Sequence, residues 1–510
     1  MNETKGKGER KGISRRSFMK LAVAGPFVAA GTASAADLGK SKSARSATLG
    51  LLKEHESIDH IYEISPDYKP FDQINLLFSN MSSFNRRTND PTDPDYKERQ
   101  EIRNAFGMYV AKADGIVEIM RAVKLAGKSF DEFLAALGSH SIPFPPPVAK
   151  VLWENEKIEH LFERAEEKGW SQLDYAFENA GWSVDHFGAR LSEGGVSGRF
   201  KHFVGGEMRD GLYAWNRPPW PTVYQFKDRE EATRIVKKAS LFLGADVVGI
   251  APYDQRWVWK KRFNIYDGTH EENTLPFEPK SVIVFGFEMD YEAYKTTPSA
   301  IGDAAAGICY SKMAVTGHSV AEFIRKLGYQ AIACGNDTAS SVPLGIQAGL
   351  GEGSRMGPLI NPFFGPRIRL SKVFTELELI SDKPITFGVK EFCMTCKKCA
   401  NACPAGAISF DDKPSFTVHS CVSNPGIAKW YLKADSCVRW WGEIGSDCGH
   451  CITVCPYNKP DLWPHRIAKV ATHFPGTRRL AMALDDAFGY GKFYGTPENA
   501  KLIEDYWKRL

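Results

Sequence analysis

The sequence predicts an α+β protein: a helical amino-terminal unit, an α/β core and a compact cysteine-rich insert near the carboxyl end. Three observations carry this reading. Residues 97–126 and 129–137 have helical patterning. From Lys227 onward, helical stretches alternate with short apolar runs. Of 11 cysteines, nine lie between Cys393 and Cys455, too crowded and too regularly spaced for a disulfide framework. At 510 residues, 43% hydrophobic and 25% charged, the chain has the material for a large core and more than one structural unit.

The first 35 residues read as a removable leader. Ser14-Arg15-Arg16-Ser17-Phe18-Met19-Lys20 precedes an uncharged stretch from Leu21 to Ala35 that ends in the small residues Ala33-Ser34-Ala35. This is the pattern of a twin-arginine export signal, and the apolar run is short and rich in Ala and Gly for a membrane span. Of the chain's 65 basic and 61 acidic residues the leader holds seven and two, leaving 58 against 59. The mature chain is therefore close to neutral, and no nucleic-acid partner is expected. Twin-arginine export handles folded proteins, so the leader itself predicts a cofactor inserted before crossing.

Residues 36–226 are expected to form the mostly helical unit, with Ser129 and Glu132 at the spacing of a capping box. Residues 227–388 are expected to form the core: a helix to Phe242, apolar runs at Asp246–Ala251 and Ser281–Phe287, a long helix from Ala300 to Leu327 and a strand at Gln330–Cys334. The glycine-rich stretch from Gly345 to Gly357 permits close backbone approach to a ligand, but it matches neither the dinucleotide fingerprint nor a P-loop. Residues 389–462 hold the clustered cysteines, and 463–510 a short helical tail.

The first cysteine run, Cys393-x-x-Cys396-x-x-Cys399-x-x-x-Cys403-Pro404, has the bacterial ferredoxin spacing, in which the fourth cysteine serves a neighbouring cluster. A second cluster is thereby expected, and Cys448-x-x-Cys451-x-x-x-Cys455-Pro456 supplies it once Cys437 completes the set. The expected ligands are Cys393, Cys396, Cys399 and Cys455 for one 4Fe-4S cluster, and Cys437, Cys448, Cys451 and Cys403 for the other. Cys421 is the spare and exchanges with Cys437 in the alternative. Zinc also uses Cys-x-x-Cys pairs, but the two Cys-Pro endings favour iron-sulfur. A bare electron carrier needs only residues from about Val389 to Trp463, so the long segment before them implies an internal electron acceptor.

The leader, Gly307-Ile308-Cys309-Tyr310-Ser311, Cys334-Gly335-Asn336-Asp337-Thr338, Gly365-Pro366-Arg367-Ile368-Arg369 and the paired cluster motifs together resemble the respiratory reductive dehalogenases over nearly the whole chain. The resemblance implies a nitroreductase-like core that holds a cobalamin-type corrinoid base-off, with one cluster beside it. The lack of an Asp-x-His-x-x-Gly motif agrees with that. It also implies reductive removal of halide from an organohalide, a chlorinated ethene, alkane or aromatic, in anaerobic respiration. Tyr310 matches the family's proton donor, Asn336 its active-site asparagine and Arg369 its arginine, with Arg367 as the substitute two residues away. Trp440 and Trp441 lie where the family places an aromatic pocket wall, although insulation of a cluster suits them equally. His419 and His450, beside cysteines, are read as solvent-facing, with donation toward the clusters as the alternative. The family further implies a small integral-membrane anchor protein, a quinol- or hydrogenase-linked electron donor, and a peripheral location on the outer face of the cytoplasmic membrane. Epoxyqueuosine reductase shares the corrinoid core and paired clusters, and a plain exported ferredoxin-like carrier shares the leader and the cysteines. The tyrosine with its Gly-Asn-Asp partner favours the dehalogenase.

Overall fold

Four strands carry the core, each with both faces covered. The computed structural model describes residues 52–460, 472, 475–487, 490 and 497–508, apart from 83, 114–115, 140–145, 155–168, 186–200, 205–206, 214, 216 and 265–267. The chain divides into Met1–Ala35 and Ala36–Leu510. Everything below concerns the second unit, and the expected export signal lies outside the described residues.

In chain order the elements that position the site are helices α1 (Tyr96–Ala113), α2 (Gln172–Val184) and α3 (Arg229–Phe242), strands β1 (Val247–Pro252) and β2 (Ser281–Glu288), and the 27-residue helix α4 (Ala300–Lys326). Strands β3 (Ala331–Cys334) and β4 (Ile368–Thr375) complete the sheet, and helices α5 (Val389–Thr395), α6 (Lys398–Ala402) and α7 (Ala434–Ile444) belong to the cysteine-rich region. The expected boundaries from 227 to 334 fall within two residues of these. The capping box is present: Glu132 N donates to Ser129 Oγ at 3.3 Å and Ser129 N to Glu132 Oε2 at 2.8 Å.

The sheet runs β1-β2-β4-β3 with every pair antiparallel. The alternation of helices and strands therefore does not build the parallel sheet that an α/β core usually has, and the whole is α+β in the strict sense. One face, through Ile283, Phe285, Phe287 and Val373, packs on α4. The other, through Val282, Val284, Ile332, Leu370 and Phe374, packs on a separate apolar layer that includes Leu344 and Leu350. Burial on both faces is why β1 and β2 read as continuous apolar runs rather than alternating ones.

The amino-terminal stretch departs from the mostly helical expectation. Residues 52–95 hold short 3-10 turns and a brief strand that pairs with Ile385 and Thr386, and Tyr62 accepts the Gly353 N–H at 2.7 Å. A hairpin of Lys201–Val204 and Glu207–Asp210 adds further strand. The carboxyl-terminal helix Pro497–Lys508 returns to α2, where Trp507 Nε1 donates to Asp174 Oδ1 at 2.8 Å. Among the described residues no helix is long and apolar enough to cross a membrane.

Candidate active site and cluster ligands

Ser299 caps α4 by accepting the Gly302 N–H at 3.2 Å, and the helix then carries Tyr310 past the ends of β3 and β4. Asn336, just beyond β3, donates from Nδ2 to the Tyr310 hydroxyl at 2.8 Å. On β4, Arg369 places its guanidinium carbon 5.4 Å from the centre of the Tyr310 ring and donates from Nη2 to Asp447 Oδ2 at 3.3 Å. The three residues named from sequence thus meet at one phenol. Burial works against the Arg369 cation, but Tyr310, Tyr294 and Asp447 favour it and the net shift is upward. Both Arg369 and Asn336 favour negative charge on the phenolic oxygen.

Arg367, the substitute, does other work. It is wholly buried and donates to Asn458 Oδ1 at 2.6 Å and to Glu288 Oε1 at 2.8 Å. It ties the edge of β2 to the segment after Cys455.

Sequence reading missed the groups behind the tyrosine. Trp182, from α2, stacks on Tyr310 with centroids 4.8 Å apart and planes at 24°. Its indole N–H donates to Asp303 Oδ1 at 3.2 Å, while Asp303 Oδ2 accepts from Tyr109 Oη of α1 at 3.2 Å and from Asp447 N at 3.2 Å. Burial raises Asp303, against the pull of these donors. Burial and then Asp303 push Asp447 up to about 8, with Arg369 opposing. A signal for Trp182 did exist in the motif around Tyr310. A Cβ at Gly307 would stand 2.5 Å from the Trp182 ring, and Ser311 Oγ donates to Gly181 O at 2.6 Å. The glycine and serine of that motif are the seat of α2.

The cysteines fall into two sets. The thiols that bear on Cys455 are Cys393, Cys399 and Cys396. Those that bear on Cys451 are Cys448, Cys437, Cys403 and then Cys455, and Cys437 and Cys448 both face Cys403. Cys399 is near enough to Cys451 for the two thiols to bear on one another, so the two sets adjoin. Burial first, then the like-charged neighbours, pushes Cys393, Cys437 and Cys448 up to about 12. A cationic iron-sulfur core would deprotonate such thiols outright. Among the described residues no three His, Cys, Asp or Glu side chains converge as the ligands of one metal ion do. A cubane asks for something wider, because each thiolate binds a different iron. Cys421 lies apart, its charged neighbours being Arg99, Glu98 and Asp95, with its N–H on Glu98 Oε1 at 3.1 Å.

The glycine-rich stretch serves the first cysteine set. A Cβ at Gly351 would fall 2.1 Å from Ile360 O, so the close approach is to protein backbone. The stretch delivers Glu352, which accepts the N–H groups of Phe387, Val389 and Lys390 at 2.9, 3.2 and 2.8 Å and so holds the start of α5 ahead of Cys393. It also delivers Arg355, wholly buried, which donates from Nη2 to Cys393 O and from Nη1 to Ser409 O and Asp411 O, all at 2.7 Å. Arg355→Leu is expected to destabilise the fold by about 3 kcal/mol, because it removes the guanidinium bonds to the Cys393 and Ser409 carbonyls and leaves Asp411 O only the Trp430 indole N–H at 3.0 Å. Thermal unfolding together with iron content checks this, and an unchanged melting point with full iron would contradict it.

Trp441 packs against Tyr109 at 5.7 Å and Phe106 at 6.4 Å, joining α7 to α1. Trp440 lies beside Cys448, its indole N–H buried without a hydrogen-bond partner. Pocket wall and cluster insulation both remain compatible with these positions. His419 is exposed, as expected. His450 is not: it is buried, with Nδ1 2.8 Å from Cys448 Sγ, because the left-handed Gly449 turns the chain inward there.

Residues 392–459 match the family model of the 4Fe-4S dicluster domain, which makes the protein an iron-sulfur protein in class. Over its full length it is 34% identical to a tetrachloroethene reductive dehalogenase of Desulfitobacterium hafniense strain Y51, with 97% of this chain and 98% of that one covered. The chain belongs to the reductive dehalogenases, oxidoreductases that act on carbon–halogen bonds. A solved structure of a variant of the catabolic reductive dehalogenase NpRdhA is similar at a TM-score of 0.51 and 25% identity, covering 67% of this chain and 46% of that one. An epoxyqueuosine reductase of Bacillus cereus is 25% identical over only 46% of this chain and 66% of its own.

Proposed function

We infer that this chain removes halide from a chlorinated ethene, using two electrons and one proton, with Tyr310 as the proton donor and a corrinoid as the electron-transferring centre. The observation that carries the reading is the convergence of Asn336 and Arg369 on the Tyr310 phenol. The substrate class follows from full-length likeness to enzymes named for tetrachloroethene. When bound, the corrinoid supplies a low-potential cobalt that delivers electrons to the carbon–halogen bond. Arg369 Nε and Asp447 Oδ1 are buried without hydrogen-bond partners, polar atoms beside the tyrosine that a bound group would satisfy.

The chain's own residues divide the remaining work. The Tyr310 hydroxyl holds the proton and gives it up only to a strongly basic carbon. Arg369 and Asn336 stabilise the phenolate that is left, and Arg369 adds a positive field for the departing halide. Trp182 covers one face of the phenol and keeps water from it. Cys393, Cys396, Cys399 and Cys455 hold one 4Fe-4S cluster; Cys403, Cys437, Cys448 and Cys451 hold the other.

On this reading residues 1–35 are a twin-arginine signal and 36–226 the amino-terminal unit. Residues 227–388 form a nitroreductase-like corrinoid core, 389–462 the double-cluster insert and 463–510 the tail. The mature enzyme sits on the outer face of the cytoplasmic membrane, held by a small integral-membrane protein and fed from quinol or a hydrogenase. The test is anaerobic iron, sulfide and cobalt analysis of the mature protein, with chloride release from tetrachloroethene under a low-potential reductant. About eight iron and one cobalt with chloride release is the expected result. Iron without cobalt, after maturation with corrinoid supplied, would overturn the reading.

A further inference from the structure

Lys372 lies on β4 opposite Cys334 of β3, three residues from Arg369 and on the opposite face of the sheet. Its neighbours there are the apolar Ile332, Leu370 and Phe374, and it is wholly buried. Its ammonium donates to Gly335 O at 2.6 Å and to Ser341 Oγ at 3.0 Å. Asp337, equally buried, supplies the facing negative charge.

An ammonium in an apolar layer is among the costliest groups to bury, and a leucine of similar length would fill the space as Leu370 does. What the lysine holds is a loop under strain. Thr338 has φ +69°, a region that a β-branched residue rarely adopts. Its carbonyl is gripped by Trp259 N at 2.9 Å and Asn273 Nδ2 at 3.0 Å. Asn336 projects from between the Gly335 and Thr338 restraints, and its amide reaches the Tyr310 hydroxyl at 2.8 Å.

We propose that Lys372 is a positioning residue for dehalogenation: by holding the Gly335 carbonyl from beneath the sheet, it aims Asn336 at Tyr310. One strand thus serves the tyrosine from both faces, with Arg369 touching it directly and Lys372 acting through the asparagine. This rests on the proton-donor reading of Tyr310.

The test is a double-mutant cycle on the full-length, cofactor-loaded enzyme with Lys372→Met, Asn336→Ala and the pair, reading kcat, KM, iron and cobalt separately. Each single change is expected to lower kcat tenfold or more and to move KM less than twofold, and the pair is expected to be no slower than Asn336→Ala alone. Losses that multiply in the pair, or an unchanged kcat in Lys372→Met, would overturn the proposal. Should Lys372→Met fail to retain its cofactors, Lys372→Gln, which keeps a donor on a shorter arm, carries the same cycle with the same two outcomes. A fully active Tyr310→Phe sinks the underlying reading instead, whatever Lys372 does.

Discussion

Replacing Tyr310 with phenylalanine is expected to lower kcat by about 10²–10⁴-fold, with iron and cobalt contents unchanged. The substitution removes one oxygen and little else. Phenylalanine keeps the ring that stacks on Trp182 at 4.8 Å and the face that meets Arg369. The folded state loses one hydrogen bond from Asn336, a change of about 1 kcal/mol. What disappears is the proton, together with the place where Arg369 and Asn336 jointly accommodate negative charge. Steady-state chloride release on the metal-loaded variant measures the effect, and wild-type turnover would remove Tyr310 from the chemistry.

Cys437→Ala is expected to leave about four iron per chain in place of about eight and to abolish turnover, whereas Cys421→Ala is expected to keep the full complement. Cys437 stands among Cys448 and Cys403. Cys421 faces Glu98 and Arg99 on α1, which is why the proposed ligand sets leave it out. Loss of one cluster is expected to interrupt electron supply even where the other remains, since the two sets adjoin, with Cys451 near both Cys399 and Cys455, and electrons would pass through both in turn. Iron counting with low-temperature paramagnetic resonance distinguishes the two variants. Full iron in Cys437→Ala, or half in Cys421→Ala, would exchange their assignments.

Local rules went far in this chain. The Ser129 capping box, the buried runs of β1 and β2 and the length of α4 all follow from patterns within a few residues. Thiol spacing names seven members of the two cysteine sets and leaves Cys437 and Cys421 as alternatives for the eighth. β4 was harder to see. Arg369, Ser371 and Lys372 interrupt its apolar pattern, yet it lies at the centre of the sheet between β2 and β3. Its polar residues are there for what they reach at either face, which periodicity does not register. Trp182 and Asp303 were harder still. Their contacts join α1, α2, α4 and the loop before Cys448, reaching Asp303 across 194, 121 and 144 residues of sequence, and only the fold brings them together. The glycine-rich stretch suggested an approach to a ligand, and the same steric fact serves backbone packing instead, with Glu352 and Arg355 carried to the first cysteine set.

Asp303 gives the chain a means of telling whether it is complete. Its two oxygens take a hydroxyl from α1, an indole from α2 and a backbone N–H from the loop that leads into Cys448. With one of these partners removed from the assembled fold, the carboxylate stays buried with one donor fewer, a state that costs about 1–3 kcal/mol. The amino-terminal helices and the cysteine-rich loop therefore stabilise one another's seats on α4, and with them the stacking of Trp182 on Tyr310. A chain caught with one part missing would stay loose at this junction, and that looseness is what proteolysis detects. The same carboxylate that arranges the tyrosine thus acts as an inspection point for assembly.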